Sequence, residues 1–231
     1  MSLIDEIRSR REQIEAELAR LAPGGEPPRI VCVTKTHPIE MVRAAVAAGL
    51  REFGENYANE LAAKARETSE LPIRWHFIGH LQQRQVRLVS GAASVVESLS
   101  RVVEADRLAA LGFDGEVFVQ LAPPGAPPGR NGVSEDEAAK LVDYARSRGL
   151  RVTGVMGVAV PGDEAAVRAF FRSLVRFAEA QGLAERSFGM SSDWRLAATE
   201  GATIVRLGTA LLGPRPSERG SLSPSEGAEV Q

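Results

Sequence analysis

The sequence predicts an α/β protein built as a single (β/α)8 barrel of the TIM type, with one extra helix at its N-terminus. Short runs rich in β-branched residues alternate with longer amphipathic runs, and such βα units form parallel sheets. Eight strands can be placed along the chain, which is the strand count of this barrel. The length of 231 residues fits one barrel domain. An open, doubly wound sheet is the alternative that the same alternation allows.

The predicted strands and helices follow an N-terminal helix. Ser2 and Asp5 resemble a capping box in front of apolar residues at helical spacing, and the Pro/Gly-rich stretch 22–28 ends this helix. The strands are predicted at residues 29–34, 51–54, 74–78, 93–97, 115–121, 151–155, 185–189 and 203–207. The further helices are predicted at 38–48, 56–68, 82–89, 100–111, 134–148, 163–181 and 193–199. Ser100 is expected to cap the helix over 100–111.

Composition excludes several classes of protein. The 28 basic and 30 acidic residues give a net charge of −2, so no charge excess indicates binding to nucleic acid or to an acidic membrane. The single cysteine, Cys32, excludes an internal disulfide and a cysteine-rich zinc site. No apolar run approaches the ~18 residues of a membrane span, and the first residues lack a signal-peptide core. We expect a cytoplasmic protein with a barrel domain over 1–215 and a disordered tail over 216–231.

Lys35 is the most informative of the polar residues that follow a predicted strand, which is where barrel active sites lie. Only three of the 28 basic residues are lysines, so a lysine at the end of an apolar strand needs a chemical reason. A buried amine tends to lose its proton and can then form a Schiff base with an aldehyde or ketone. The alternative is a side chain whose stem packs while its amine reaches solvent or pairs with Glu55.

The last two strands are followed by residues suited to an anion. Gly208 and Thr209 come after the eighth strand, where glycine lets the backbone approach a phosphate and the hydroxyl adds a donor. Ser191 and Ser192 follow the seventh strand and precede a helix, whose first N–H groups are free to donate. The alternative is that Ser192 or Asp193 only caps this helix and that Gly208 only makes a turn.

Arg206 is expected to point into the barrel. It precedes Gly208 by two residues, and strand alternation directs residues at this spacing to the same side. An arginine inside a barrel needs an anionic or accepting partner. That partner is either a neighbouring carboxylate or an acceptor on a ligand, such as a ring nitrogen.

The histidines do not form a recognisable metal motif. His76 and His80 are four residues apart, but the residues between them are typical of a strand and a turn rather than of a zinc-binding helix. We therefore expect structural roles for both and no metal site. Core positions are expected for Trp75, Phe77 and Cys32.

Five segments of the chain, in this order, resemble a known family: VTKTHP, FGENYANE, WHFIGHLQ, FGMSSDW and RLGTALLGPR. They resemble the pyridoxal 5′-phosphate (PLP) homeostasis proteins of the YggS/PROSC type, which share the barrel fold of the N-terminal domain of alanine racemase. The resemblance covers residues 30–215. It implies that Lys35 holds PLP as an internal aldimine and that Arg206 faces the pyridine nitrogen. Further contacts are implied for Asn56 beside the cofactor and, at the phosphate, for Ser191, Gly208, Thr209 and the backbone near Met190 and Ser192.

The resemblance also implies a function. Members of this family are understood to bind, buffer and deliver PLP to apo-enzymes, without catalytic turnover, and we expect a monomer. The chain departs from the family pattern at His37, His80, Ala122 and residues 83–85 and 130–132. These departures leave the implied cofactor anchors in place, but they remove auxiliary lysines on which a transfer mechanism could rely.

Two enzyme hypotheses stand beside the carrier. A PLP-dependent amino-acid racemase needs bases on both faces of the substrate α-carbon. Alanine racemases take one tyrosine from a second domain that this chain lacks, and its own tyrosines are Tyr57 and Tyr144. A cofactor-free aldolase would use Lys35 with an acid/base partner such as Glu55, but it has no use for Arg206.

Overall fold

The computed structural model describes residues 1–22, 26–127, 129 and 131–213 of the chain. Within these residues eight parallel strands close into a barrel, in which each strand pairs with the next and the last pairs with the first. The predicted (β/α)8 barrel with an extra N-terminal helix is therefore confirmed, and the open sheet is wrong. The predicted tail over 216–231 lies outside the described residues.

The elements of the barrel have the following bounds. The strands are β1 Arg29–Val33, β2 Glu52–Glu55, β3 Arg74–Phe77, β4 Val95–Leu99, β5 Glu116–Leu121, β6 Arg151–Gly157, β7 Glu185–Ser187 and β8 Ile204–Leu207. The α-helices are α1 Leu3–Leu21, α2 Ile39–Ala47, α3 Ala58–Glu67, α4 Val86–Ser90, α5 Val102–Ala110, α6 Glu135–Ser147, α7 Glu164–Ala180, α8 Trp194–Thr199 and α9 Thr209–Leu212. A 3-10 turn over Gln83–Gln85 leads into α4.

Helix α1 forms as its sequence predicts. The Ser2 hydroxyl accepts the Asp5 N–H at 3.2 Å, and the Asp5 carboxylate accepts the Ser2 N–H at the same distance, which completes the capping box. The buried face of the helix carries Ile7, Ile14 and Leu18. This face packs against the barrel's helical layer at α2, α8 and α9, next to the exit of β8.

Three local expectations are corrected. Strand β4 lies two residues later than predicted, a shift that keeps the same residues facing inward because side chains alternate. The N-cap of α5 is Arg101 rather than Ser100, because the Glu104 carboxylate accepts the N–H groups of both Ser100 and Arg101 at 2.9 and 3.0 Å. Helix α9, which directly follows β8, was not expected from the sequence.

The barrel separates two cores. The larger one fills the space between strands and helices and contains Cys32, Trp75 and Phe77, as predicted. A smaller one fills the barrel interior and consists of Val31, Val95, Phe118, Met156 and Ile204. Residues two positions from members of the inner core face the same interior, which places Arg206 there beside Ile204 and places Glu97 there beside Val95.

The described part of the chain shows neither a membrane-spanning helix nor a group of metal-binding side chains. None of the described helices is long and apolar enough to cross a membrane. Among the described residues, no three His, Cys, Asp or Glu side chains are grouped so that they could hold a metal ion.

Candidate cofactor-binding site

Strand register brings the predicted site residues to one end of the barrel. Val33 of β1 pairs with Gly54 of β2, so Lys35 and Asn56, each two residues further, leave their strands side by side. On the other flank, Cys32 of β1 pairs with Leu207 of β8. A Cβ built on Gly208 would lie 3.3 Å from the Val33 carbonyl oxygen, so the exit of β8 packs closely on the exit of β1.

Lys35 is half-buried at the mouth of the barrel. The preceding side chain, Thr34, faces away from the barrel, because its hydroxyl donates to Glu55 at 2.7 Å in the layer beneath α3. Lys35 follows as the first corner residue of the turn after β1, at the end of the barrel where the strands finish. Glu55, the alternative partner considered for Lys35, uses one carboxylate oxygen, Oε1, to accept hydrogen bonds from Thr34 and from Lys64 at 2.6 Å.

Arg206 is buried inside the barrel, as strand alternation predicts. Its Nη1 donates to the Ser187 carbonyl at 2.8 Å and to the Ser187 hydroxyl at 2.6 Å, and its Nη2 donates to the Gly157 carbonyl at 2.8 Å. Glu97 Oε2 lies 3.7 Å from Nη1, and the Ser187 hydroxyl links the two by donating to Glu97 at 2.6 Å. Within the described residues these hydrogen bonds use three of the five guanidinium N–H groups.

A buried ionic chain continues from Glu97 down the interior. His76 Nδ1 lies 2.6 Å from Glu97, and His76 Nε2 lies 3.4 Å from Glu52. Burial disfavours the charged imidazole, but the two carboxylates outweigh it and raise the pKa of His76. Burial also acts to raise the pKa of Glu97, and the contacts with His76, Arg206 and Ser187 outweigh it and lower that pKa. His76 therefore has the structural role that its sequence context predicts.

The exits of β7 and β8 form a cradle of unpaired backbone donors. Within the described residues, the N–H groups of Ser191, Ser192, Gly208 and Thr209 donate no hydrogen bond. The Ala210 N–H donates to the Ser191 hydroxyl at 3.4 Å and so ties the two segments together. The hydroxyl-bearing residues Ser191, Ser192 and Thr209 are exposed. Converging N–H groups without partners are typical of an anion site, and we call these four residues the donor cradle.

Met190 contributes to the donor cradle only indirectly. Its N–H donates to the Asp193 carboxylate at 2.6 Å, and its carbonyl accepts the Asp193 and Trp194 N–H groups. Asp193 therefore fixes the turn that presents Ser191 and Ser192. It does not cap α8 with its side chain, which was one of the alternatives for this position.

Asn56 is half-buried and fixed by close backbone packing. A Cβ on Gly79 would collide with the Asn56 carbonyl, so a glycine is needed where the exit of β3 crosses the exit of β2. The Asn56 side-chain oxygen is buried and accepts no hydrogen bond within the described residues. Such an oxygen is available to a donor on a ligand at the mouth of the barrel.

The loop after β5 returns to the same rim. Asn131 accepts a hydrogen bond from the Ser100 hydroxyl at 2.9 Å, lies 3.0 Å from His80 Nδ1 and donates to Gln120 at 2.5 Å. His80 stands where the sequence departs from the resembled family, and it contacts Asn131, the residue after a second such departure at Arg130. The structural role expected for His80 is thus to tie two rim loops, while Arg130 lies outside the described residues.

Sequence reasoning missed the residues that support the site from behind. Glu97, Ser187 and Lys64 were not singled out, although all three are buried and charged or polar. A signal existed for Glu97, because a glutamate within the apolar run of β4 raises the same question as a lysine after β1. No comparable signal marked Lys64, since a lysine among the polar residues of a helix is common.

The barrel and its site define a class of protein. A family model described as "Alanine racemase, N-terminal domain" matches residues 10–216. The solved alanine racemase of Acinetobacter baumannii has the same fold, with a TM-score of 0.72 and 15% identity over 92% of this chain and 62% of that chain. At this identity the likeness concerns the fold alone.

Closer relatives define the family within this class. The pyridoxal phosphate homeostasis protein of Pseudomonas aeruginosa is 35% identical over 216 residues, which is 85% of this chain and 90% of the relative. PipY of Synechococcus elongatus PCC7942, solved with PLP bound, has a TM-score of 0.77 and 29% identity over 90% of this chain and 100% of its own. The chain belongs to the pyridoxal phosphate homeostasis protein family.

Proposed function

We propose that this protein binds PLP as a Schiff base with Lys35 and serves in intracellular PLP homeostasis by holding and delivering the cofactor without catalysing turnover. The observation that carries the proposal is the donor cradle beside the exit of β1. Four unpaired N–H groups and two hydroxyl-bearing loops fit a phosphate, and a half-buried amine stands on the neighbouring strand exit. When bound, PLP supplies an aldehyde that condenses with an amine and a ring that withdraws electrons.

The residues present fit each part of the cofactor. Ser191, Ser192, Gly208 and Thr209 would hold the phosphate, with Met190 shaping their turn. Arg206 would donate to the pyridine nitrogen, and the buried oxygen of Asn56 would accept from a polar group of the ring. PLP bound to PipY, a relative of the same barrel fold, supports this fit.

Arg206 favours a carrier over an enzyme. An arginine donor keeps a ring nitrogen unprotonated, and an unprotonated ring is a weaker electron sink than one paired with a carboxylate. Arg206 is itself paired with Glu97 through Ser187, so it stays a cation and does not transfer a proton. The site would therefore retain PLP while activating bound amino acids poorly.

The racemase alternative has one of the chain's two tyrosines in place at the rim, within the described residues. Tyr144 donates its hydroxyl to Asp106 at 2.8 Å, in the outer layer between α6 and α5. Tyr57 remains at the rim and is 54% exposed, so one tyrosine is a candidate base and its counterpart on the other face would have to be Lys35. A residual racemase-like activity is the outcome that this arrangement would allow.

The aldolase alternative is weakened by the position of Glu55. Its carboxylate is fully buried outside the barrel and is bound by Lys64 and Thr34, so it does not face the mouth where Lys35 would react. That hypothesis also leaves the donor cradle without a use.

The test is covalent labelling. We expect purified protein incubated with PLP to develop a visible absorption band, and borohydride reduction followed by peptide mass spectrometry to place the label on Lys35. Lys35→Ala should lose the label completely, because the other two lysines, Lys64 and Lys140, lie on helices α3 and α6 rather than at a strand exit. Lys140→Ala is the matched control, since Lys140 is exposed on α6 and should not affect labelling.

Two results would overturn the proposal. A label on Lys64 or Lys140 in the wild-type protein would show that the amine has been misassigned. Rapid interconversion of L- and D-alanine by the loaded protein would favour the racemase instead. Delivery to apo-enzymes by a monomer belongs to the same proposal, and transfer of PLP to a PLP-dependent apo-enzyme at a rate above free release would support it.

A further inference from the structure

The two peptide groups that flank Lys35 are both held by side chains of α3. The Thr34 carbonyl accepts a hydrogen bond from Lys64 Nζ at 2.7 Å, and the Thr36 N–H donates to the Glu60 carboxylate at 2.9 Å. Lys64 and Glu60 are themselves joined at 3.1 Å, one helical turn apart. The main chain on either side of Lys35 is therefore fixed by one connected pair of residues.

The turn that presents Lys35 is strained. Thr36 has φ +63°, a left-handed conformation that β-branched residues rarely adopt. The His37 N–H donates to the Thr34 carbonyl at 3.0 Å, so residues 34–37 form a β-turn with Lys35 and Thr36 at its two corners. Strain of this kind persists only where surrounding contacts over-determine the backbone. Here those contacts come from Lys64 and Glu60.

Burying the charged amine of Lys64 costs free energy. Its side chain is 8% exposed, and it donates to the fully buried Glu55 at 2.6 Å as well as to Thr34 and Glu60. Taking a lysine and a glutamate out of water costs several kcal/mol per ion before their attraction is counted. An apolar pair would fill the same space, but it would supply no donor to the Thr34 carbonyl.

We infer that Lys64 and Glu60 are positioning residues that hold the strained 34–37 turn and thereby aim the Lys35 amine at the aldehyde of a ligand seated in the donor cradle. The inference rests on the proposed function and adds to it. It separates the two halves of the site: the donor cradle binds the phosphate without help from α3, whereas covalent capture depends on α3. Lys64 itself stays outside the barrel and does not contact the ligand.

The experiment compares two ligands that differ at one group. PLP carries the aldehyde, and pyridoxine 5′-phosphate carries an alcohol there and cannot condense with an amine. The first variant is Glu60→Ala, which removes the acceptor of the Thr36 N–H from a partly exposed side chain. The second is the double variant Lys64→Met with Glu55→Gln, which removes the donor to Thr34 without leaving a buried charge unpaired. Lys140→Met is the matched control.

We expect the variants to slow adduct formation with PLP but to leave the binding of pyridoxine 5′-phosphate unchanged. In both variants the rate of borohydride-fixable adduct formation with PLP should fall about tenfold or more, because misplacement of a reacting group by ~1 Å has effects of this size. The dissociation constant of pyridoxine 5′-phosphate should stay within about twofold of wild type, because the donor cradle is unchanged. Adding Thr36→Gly to Glu60→Ala should restore part of the rate, since glycine adopts this turn without strain.

Each other outcome decides against the inference. An equal loss for both ligands would mean that Lys64 and Glu60 only support the fold, and unchanged kinetics for both would mean that the turn holds itself. A wild-type protein that forms no adduct on Lys35 would remove the proposed function, and this inference with it. Thermal unfolding of each variant shows whether a loss for both ligands follows from instability.

Discussion

The two ends of the barrel treat their polar groups in opposite ways. At the end where the strands begin, charged side chains pair between strands that have one strand between them, as in Arg29 with Glu185 at 2.9 Å and Arg74 with Glu116 at 3.0 Å. At the end where the strands finish, backbone N–H groups of the donor cradle have no partner within the described residues. One end uses its polar groups for cross-strand contacts, and the other keeps them for a ligand.

A polar column joins the two ends through the interior. It runs from Arg29 through Glu52, His76 and Glu97 to Arg206, with the closest charged atoms 2.6 to 3.7 Å apart. Because these groups are shielded from water, each depends on its neighbour far more than an exposed ion pair does. The comparison therefore predicts that substitutions cost most at the top of the column and least at its exposed base.

The largest effect is expected for Arg206→Met. The substitution leaves the fully buried Glu97 with His76, at 2.6 Å, as its remaining charged partner among the described residues, and losing one member of a buried ionic cluster typically costs about 3–5 kcal/mol. It also removes the donor proposed for the pyridine nitrogen. We expect a much lower urea midpoint, together with weaker PLP retention or a shifted absorption band.

Arg74→Met is the matched control for this prediction, because Arg74 also pairs with a glutamate but at the exposed end. It should leave the absorption band unchanged. If Arg206→Met lowered stability but left the spectrum and retention of PLP as in wild type, Arg206 would be a structural ion-pair residue only.

A change of pH is expected to have an intermediate effect on folding stability, through the protonation of His76. Its pKa is raised above the ordinary value of 6.5 in the folded protein, so its contribution to stability is complete below pH 6.5 and is lost as pH rises through the raised value. The contribution of Glu97, whose pKa is lowered from 4.5, has the opposite sign and is lost only as pH falls below that value.

Replacing His76 by glutamine isolates this effect. The free energy of unfolding of the wild type, measured by urea titration, should decline above pH 6.5 more steeply than that of His76→Gln. Comparing the two proteins removes the contributions to pH-dependent stability of groups that both contain. One such group is Glu55, whose pKa is raised by burial. Parallel curves for the two proteins would mean that folding does not change the pKa of His76, which would contradict the prediction.

The sequence was sufficient for the parts of the fold that depend on local pattern. Alternating strands and helices and the strand count gave the barrel, and the alternation of Arg206 with Gly208 correctly placed the arginine inside it. Helix α9 was missed because Thr209–Leu212 is only four residues long, too short for a helical period to be recognised. Ser100 was misassigned as a cap because serine is a common cap, whereas the Glu104 side chain performs the task here.

The site could be predicted only where one residue carries the signal. A lysine after an apolar strand and a glycine-threonine pair after another can be recognised alone, so Lys35, Gly208 and Thr209 could be proposed as site residues from the sequence. Contacts that depend on register across the barrel, such as Glu97 with His76 at 2.6 Å, join residues whose sequence neighbourhoods are unrelated. The Lys64 contact with the Thr34 carbonyl is of the same kind, since a backbone acceptor leaves no trace in the sequence.

The smallest effect is expected for Arg29→Met, at the exposed base of the polar column. Its side chain is 44% exposed and lies 2.9 Å from Glu185 and 3.7 Å from Glu52. Exposed pairs of this kind contribute roughly 0–1 kcal/mol, and salt screens them. Urea unfolding should therefore show a loss below about 1 kcal/mol that shrinks further in molar NaCl, with PLP binding as in wild type. A loss comparable to that of Arg206→Met would contradict the contrast between the two ends, because it would mean that the base of the column is as strongly coupled as its buried top.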